Sequence, residues 1–172
     1  AGSAGYGGTL TVSGAAAGIE VLAPGQSPIL GERAAAVSAD ALNALAPTRM
    51  VVGGALYGTY GSGRQGLGTD SDGGNVIVRN GVTLQAAEIV LASGAAGRIV
   101  VEQGATLNTL GQGAMPMDAR NGLLIETQGT GALVVSNGDV TLLPPSFKNA
   151  TRIELGACLS QCEGMARIVS EG

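Results

Sequence analysis

A short motif recurs in the middle of the chain, and it limits the folds that the chain can adopt. The motif is a β-branched run followed by a glycine and Thr-Leu, and it reads VIVRNGVTL over residues 76–84 and RIVVEQGATL over residues 98–107. Ile77 aligns with Ile99, a step of 22 residues (99 − 77), and Gly81 aligns with Gly104, a step of 23 residues (104 − 81). A period in this range is typical of solenoids, in which successive units stack on one another.

Most of the chain divides into short strands that are rich in β-branched residues and are separated by Gly or Asn-Gly. A β-sandwich or a hairpin-built barrel also has short strands with alternating polarity, but neither predicts aligned copies at a fixed period. Three strands and three corners account for the period, so the sequence predicts an all-β fold, a parallel β-helix or β-solenoid. The predicted strands lie at residues 9–12, 18–22, 50–52, 75–78, 88–91, 98–101, 123–126, 132–135, 140–143, 152–155 and 166–169.

The composition agrees with a narrow interior. Glycine provides 30 of the 172 residues, and only three Tyr and one Phe are aromatic, so Val, Ile, Leu and Ala must form the core. Inward residues of a solenoid lie over their counterparts in the next coil, about 4.8 Å away. We therefore expect a core ladder in which Ile77 lies over Ile99 and Leu84 lies over Leu107.

Several classes of function are disfavoured by composition. The chain has no histidine, which removes Ser-His-Asp and Cys-His catalysis and the commonest metal ligand. A net charge of −4 and a single lysine, Lys148, argue against a nucleic-acid partner and against binding to anionic membranes. No apolar run is long enough for a transmembrane helix, and no signal peptide opens the chain, so we expect any signal peptide to be absent or already removed.

Three segments interrupt the repeat and are predicted as insertions or loops. Residues 25–45 are rich in Ala and Leu, which favours either a short helix capped by Ser38 or a pair of small-residue strands. Residues 53–74 are Gly-rich and read as a long loop, and residues 111–120 form a shorter insertion.

Two features could bind a metal or form a cross-link. Asp70 and Asp72 lie on a Gly-rich turn and offer oxygen ligands for Ca²⁺, but the EF-hand spacing is absent, and a solvated corner explains the pattern as well. Cys158 and Cys162 are the only cysteines, and they form either a small-loop disulfide or a pair of reduced thiols. No other cofactor is indicated.

Candidate contact residues lie in the segment 53–74. Tyr57 and Tyr60 are three residues apart, and exposed tyrosines stack on sugars or on protein partners, so we select them together with Arg64 and Gln65 as a contact site. Packing on the flank of the rod is the alternative for both rings.

The acidic residues provide a different candidate site, that of an enzyme. Most of them occur once per strand, which is typical of an outward polar position, but Glu102 and Glu126 each precede a Gln-Gly step and could stack as an acid/base pair.

At this point the sequence resembles a known family. Residues 39–45 (ADALNAL), followed by 49–54 (RMVVGG), and residues 97–107 (GRIVVEQGATL) look like recurring elements of filamentous-haemagglutinin-like exoproteins, the large secreted adhesins of bacterial two-partner secretion systems. The resemblance covers most of the chain and implies a right-handed parallel β-helix, export through an outer-membrane pore and display as a fibre. It also implies attachment to host cells, other bacteria or matrix polysaccharide. The residues that carry the resemblance have structural roles in that family, whose repeats contain no catalytic motif.

Together these observations predict one section, residues 1–172, of a longer β-helical array in a secreted bacterial surface adhesin. The chain stops at RIVSEG, which echoes RIVVEQG, so we expect further repeats of the same chain to follow. The expected partners are a carbohydrate or protein receptor and the secretion pore, and no enzymatic activity is expected. A β-helical polysaccharide-active enzyme and an inert stalk for a toxin remain the alternatives.

The predicted stacking is open to a direct test. Ile99→Asp would place an unpaired charge among stacked aliphatic side chains, so we expect several coils to unfold. Circular dichroism and thermal melting measure the effect, and unchanged spectra and melting would contradict this register.

Overall fold

The computed structural model describes residues 9–12, 18–30, 34–47, 49–60, 64–69, 74–93, 97–109, 124–126, 131–136, 139–148, 153–157 and 168–170. This part of the chain is mostly β, with one short helix, α1 (Ala39–Ala44). The strands are β1 (Thr9–Val12), β2 (Gly18–Leu22), β3 (Ala35–Ser38), β4 (Arg49–Val52), β5 (Gly54–Tyr60), β6 (Arg64–Thr69), β7 (Asn75–Val78), β8 (Thr83–Gln85), β9 (Glu88–Ser93), β10 (Ile99–Val101), β11 (Thr106–Asn108), β12 (Leu124–Glu126), β13 (Gly131–Ser136), β14 (Val140–Leu142), β15 (Ser146–Lys148), β16 (Ile153–Ala157) and β17 (Ile168–Ser170).

Three parallel sheets organise these strands. The five-stranded sheet has the order β1-β4-β9-β13-β16, the six-stranded sheet has the order β17-β14-β10-β7-β2-β3, and the short parallel sheet has the order β15-β11-β8. Consecutive strands β7, β8 and β9 each join a different sheet, and β10, β11 and β13 then pair beside them in the same three sheets. The prediction of an all-β fold is confirmed at this level, and its sheets are parallel.

One part of the predicted core ladder is wrong by one residue. Ile99 pairs with Val76, and Ile77 pairs with Val100, so the step between β7 and β10 is 23 residues (99 − 76). Val76 and Ile99 belong to the shared core, whereas Ile77 is buried on the other face of its strand. Side chains alternate along a strand, so aligning two isoleucines by identity moved the strand to the wrong face. Leu107 pairs with Leu84, as the repeat predicts.

All three parallel sheets contribute to one aliphatic core. The five-stranded sheet supplies Met50 and Ile89, the six-stranded sheet supplies Ile19 and Ile99, and the short parallel sheet supplies residues such as Leu84. These five side chains are at most 2% exposed. Burial of a side chain of this size contributes about 1.5–3 kcal/mol, so the ladders are the main source of stability.

Two glycines at equivalent corners explain why the repeat contains a glycine. Gly81 and Gly104 have φ of +80° and +89°, a region that glycine enters without a steric penalty. A Cβ on Gly104 would lie 3.5 Å from the backbone nitrogen of Gly81, so the two corners stack closely. The glycine of the repeated motif therefore lies at a corner in both copies.

The segment 25–45 contains the predicted short helix, preceded by a single strand, and the predicted pair of strands is not formed within it. β3 is followed directly by α1, whose N-cap is Ser38, and the Ser38 hydroxyl accepts a hydrogen bond from the Ala41 N–H at 3.2 Å. β3 pairs with β2 on the side away from β7. Along the sheet from β17 the strand numbers decrease as far as β2, and β3 then follows β2. Ala35 to Ser38 therefore form one edge of the six-stranded sheet.

The long loop predicted for residues 53–74 is wrong. β5 and β6 form an antiparallel hairpin with a bulge between Tyr57 and Tyr60, and β12 pairs antiparallel with β6. We refer to β5, β6 and β12 as the antiparallel sheet. Glycine lowered the strand propensity of this segment, but pairing with β12 across the chain compensates for it. The predicted insertion 111–120 lies outside the described residues.

Helix α1 takes the place of a strand at one edge of the short parallel sheet. The Asn43 side chain donates to the Thr83 carbonyl at 2.6 Å and accepts from the Gln85 N–H at 2.9 Å. Those backbone groups lie on the edge of β8 opposite to its partner β11. A side-chain amide thus satisfies an edge that would otherwise be open to pairing with another chain.

We expect Asn43→Ala to lower the free energy of unfolding by about 1–2 kcal/mol, because two hydrogen bonds of about 0.5–1.5 kcal/mol each are lost and the better helix propensity of Ala offsets part of the loss. Asn43→Asp is the matched control, since it keeps the acceptor for Gln85, and its loss should be smaller. Urea denaturation measures both variants. An alanine variant as stable as the wild type would contradict this role.

Candidate functional site

Charged side chains are buried on the outer faces of the two larger parallel sheets, where outer means facing away from the aliphatic core. Glu20 is 0% exposed, Arg49 is 2% exposed and Glu88 is 1% exposed. Each follows or precedes a core residue along its strand, so the alternation of the strand places it on the outer face. The predicted outward position of these acidic residues holds for Glu20 and Glu88, but burial was not predicted.

The first of these groups is the Arg79 cluster, which consists of Glu20, Arg79 and Glu102. Arg79 Nη1 donates to Glu20 Oε1 at 2.7 Å, and Arg79 Nε donates to Glu102 Oε1 at 3.0 Å. The same Glu102 oxygen accepts the Asn80 N–H at 2.9 Å. Glu20 lies in β2, Arg79 directly follows β7 and Glu102 directly follows β10, so the cluster ties three adjacent strands together.

The Arg79 cluster also holds the segment 23–30, which we call the strap, against the six-stranded sheet. Both Glu20 oxygens accept the Ile29 N–H at 2.9 Å, and Oε2 also accepts the Leu30 N–H at 3.2 Å. Arg79 Nη1 donates to the Ser27 carbonyl at 3.1 Å. At the other end of the strap, Gln26 Nε2 donates to the Asn80 carbonyl at 2.7 Å and to Asn80 Oδ1 at 3.0 Å.

The electrostatics of the Arg79 cluster favour a permanent ion pair. Burial alone would lower the pKa of Arg79, but its hydrogen bonds and charge interactions with Glu102 and Glu20 raise the pKa above its ordinary value. Both oxygens of Glu20 are bound by donors from the strap or from Arg79. A carboxylate bound in this way acts as a structural tie, and proton transfer to a substrate would require these bonds to break.

The second group is the buried pair of Arg49 and Glu88, which lie opposite each other in β4 and β9. Arg49 Nε donates to Glu88 Oε1, while Glu88 Oε2 is buried without a hydrogen-bond partner in the described part of the chain. The neighbouring outer-face residues Val51 and Val90 are completely buried, so the surroundings are apolar. Burial raises the pKa of Glu88 above its ordinary value, although the charge and hydrogen bond of Arg49 oppose this shift.

The predicted contact residues lie in the antiparallel sheet. Tyr60 pairs with Arg64 across β5 and β6, and Arg64 pairs with Glu126 across β6 and β12. Tyr57 pairs with Gly66, whereas Gln65 pairs with Ile125 at the alternating position. The structure thus brings three of the four predicted residues together with Glu126. Glu126 is 62 residues from Arg64 (126 − 64), and no local pattern in the sequence indicates that pairing.

The predicted stacking of Glu102 on Glu126 is wrong. Glu102 follows β10 in the six-stranded sheet and binds Arg79, whereas Glu126 ends β12 in the antiparallel sheet. The inserted segment between β11 and β13 carries Glu126 away from the repeat, so its similar sequence context does not reflect an equivalent position. The acid/base pair proposed from the sequence is therefore not assembled.

The remaining predicted sites lie outside the described residues: Asp70 and Asp72 for calcium, and Cys158 and Cys162 for a disulfide. Within the described ranges, no group of three or more Asp, Glu, Cys or His side chains is arranged to hold a metal ion. The only described helix, α1, is too short to cross a membrane.

Comparisons with protein-family profiles, with curated proteins and with solved structures found no match to this chain.

The raised pKa of Glu88 predicts the direction of a pH effect on stability. A carboxyl group whose pKa is higher in the folded state than in the unfolded state binds more protons when the protein is folded. Its contribution to the stability of the fold is therefore fully present below the ordinary pKa of 4.5, and it is lost as the pH rises through the pKa of the folded state. Glu88→Gln removes this titration. From pH 4.5 upward, we expect the wild type to lose stability relative to the variant. The loss is about 1.4 kcal/mol for each unit by which the pKa of Glu88 in the folded state exceeds its pKa in the unfolded state.

Urea denaturation of both proteins from pH 4 to pH 8 measures this difference, in which the titrations of all other groups cancel. If the gap between the wild type and Glu88→Gln stayed constant, or moved in favour of the wild type as the pH rose, the assignment for Glu88 would be contradicted.

Proposed function

We propose that this chain is a section of the rod of a secreted, filamentous bacterial surface adhesin, and that its three parallel sheets are the faces of a right-handed parallel β-helix. One observation carries this proposal: from β7 to β17, with β12 left out, successive strands join the three parallel sheets in turn around a single aliphatic core. A chain that repeats this step lengthens by about 4.8 Å per coil, which is the geometry of a rod.

The described charged residues support a structural role in place of a catalytic one. Glu20 and Glu102 bind Arg79, and Glu88 binds Arg49. These groups tie neighbouring strands to one another, and the predicted pair of Glu102 and Glu126 is separated between two sheets. A typical glycoside hydrolase uses two carboxyl groups on either side of the bond that it cleaves. We therefore propose a non-enzymatic role, as the sequence predicted.

The antiparallel sheet is the part of this proposed rod that makes it an adhesin. It departs from the repeat, it is built from two separate insertions, and it carries the candidate contact residues Tyr57, Tyr60 and Arg64. In this proposal the parallel sheets set the distance from the cell, and the antiparallel sheet binds a carbohydrate or protein receptor. Many weak contacts along a fibre add through multivalency, which raises avidity by about 10²–10⁴.

The same proposal specifies the other partners. Export through an outer-membrane pore precedes folding at the cell surface, and further repeats of the same chain pair with the parallel sheets. β15, β16 and β17 are the edge strands at one end of the three sheets, so they supply the backbone donors and acceptors for such a coil.

Bead adhesion combined with a crystal structure tests the two halves of the proposal separately. We expect the crystal structure to show continuous coils of three strands, and beads coated with the chain to adhere to bacterial cells, host cells or matrix polysaccharide more steeply than in proportion to coating density. Beads coated with the unfolded variant Ile99→Asp are the control. Strands that do not close into coils would contradict the rod, and continuous coils without adhesion would favour an inert stalk.

A further inference from the structure

We propose that the open edge of β3 binds the same edge of a second copy of this chain in antiparallel pairing, so that the chain adheres to copies of itself. This inference rests on the proposed adhesive function and names the partner for contact between bacterial cells. β3 ends the six-stranded sheet, with β2 on one side and no described strand on the other. A strand in this position presents a row of backbone donors and acceptors to another chain.

The chain covers one edge at this end of the sheets and leaves another open. The edge of β8 is occupied by the Asn43 side chain, which bonds to the Thr83 carbonyl and to the Gln85 N–H. β3 has the sequence AAVS, without charge or proline, and it pairs with β2 without a bulge. Charges, proline, bulges and covering elements protect edge strands from other chains. Within the described residues, β3 has none of these protections.

β3 also extends further than the other two parallel sheets at this end. Beyond β9 the five-stranded sheet adds β4 and β1, whereas beyond β10, the next strand along the chain, the six-stranded sheet adds β7, β2 and β3. Helix α1 occupies the place beside β8 in the short parallel sheet. A further coil would need a strand in all three sheets, and α1 blocks one of them. β3 therefore accepts a single strand from another chain more readily than a whole coil.

The core row of the six-stranded sheet is incompletely covered at β3. Ile19 and Val21 in β2 are 2% and 0% exposed. Their partners in β3, Ala35 and Val37, pack against the core but are only partly buried. A strand added beside β3 would cover the apolar surface that these two side chains still expose, and burial of that surface favours the contact.

A second copy matches this edge because the edge is complementary to itself. A twofold axis perpendicular to the sheet places two β3 strands side by side in antiparallel orientation, and each donates to and accepts from the other. Ala35 and Val37 then share the core side with their copies, and the exposed Ala36 and Ser38 share the outer side. This contact closes on itself and gives a dimer. Four residues on each strand make a small interface, so the contact is weak and adheres through many copies on each surface.

Sedimentation equilibrium of the purified chain at increasing concentration tests this inference. We expect a reversible equilibrium between monomer and dimer. Ala36→Lys and Ala36→Glu each bring like charges together across the contact, so each variant alone should dimerise at least about tenfold more weakly. An equimolar mixture of the two variants should regain the lost affinity, because opposite charges then meet. This recovery separates loss of the contact from loss of folding.

Gln85→Lys is the matched control. Gln85 is also exposed on an edge strand, but Asn43 already covers that edge, so this variant should dimerise like the wild type. Hydrogen exchange gives a second readout. Amide hydrogens of residues 35–38 that point away from β2 should exchange more slowly in concentrated than in dilute protein, and in Ala36→Lys this dependence on concentration should be lost.

Each result decides the inference. A wild type that stays monomeric would overturn it, and so would a dimer that Ala36→Lys leaves unchanged, since the contact would then lie elsewhere. A mixture of the two charge variants that does not recover would contradict the pairing of β3 with itself. If β3 forms the dimer but coated beads do not adhere to cells, the adhesive function fails and the contact stands. If beads adhere to cells while the chain stays monomeric, the contact fails and the adhesive function stands.

Discussion

The structure depends on the in-register stacking of aliphatic side chains across parallel strands. Val76, Ile99 and Val140 lie side by side in the six-stranded sheet, and Leu84, Leu107 and Phe147 do the same in the short parallel sheet. Because the period of a strand is two, a shift of one residue in any of these strands would move its core residues to the outer face. The corners at Gly81 and Gly104 stack closely, and the ladders maintain the register in the three parallel sheets.

The buried charges add a second level of organisation on the outer faces. Arg79 links the three neighbouring strands β2, β7 and β10, and it holds the strap in place. The strap follows β2 and leads towards β3, which pairs with β2 on the side away from β7. Arg49 and Glu88 link β4 to β9 in apolar surroundings. A buried ion pair contributes little net stability compared with apolar packing, but separating its partners is costly. These ties therefore specify which strands are neighbours more than they stabilise the fold.

The repeat could be predicted from the sequence because local patterns encode it. Alternation, β-branched residues and glycine corners identified most strands of the parallel sheets, and Ser38 was predicted as the helix cap. The antiparallel sheet could not be predicted, because Arg64 and Glu126 meet only through long-range pairing and glycine conceals the strand pattern of β5 and β6. The burial of Glu20 and Glu88 was missed for a similar reason: their partners, Arg79 and Arg49, are distant in sequence.

A crystal structure of the chain tests the central claim most directly, since that claim concerns the register of parallel strands around one core. We predict that residues 76–78 pair in parallel with residues 99–101, Val76 opposite Ile99, at one strand spacing of about 4.8 Å, with the backbone closing into continuous right-handed coils. Two facing sheets of antiparallel strands, or a β7 that pairs with anything other than β10 and β2, would contradict the account.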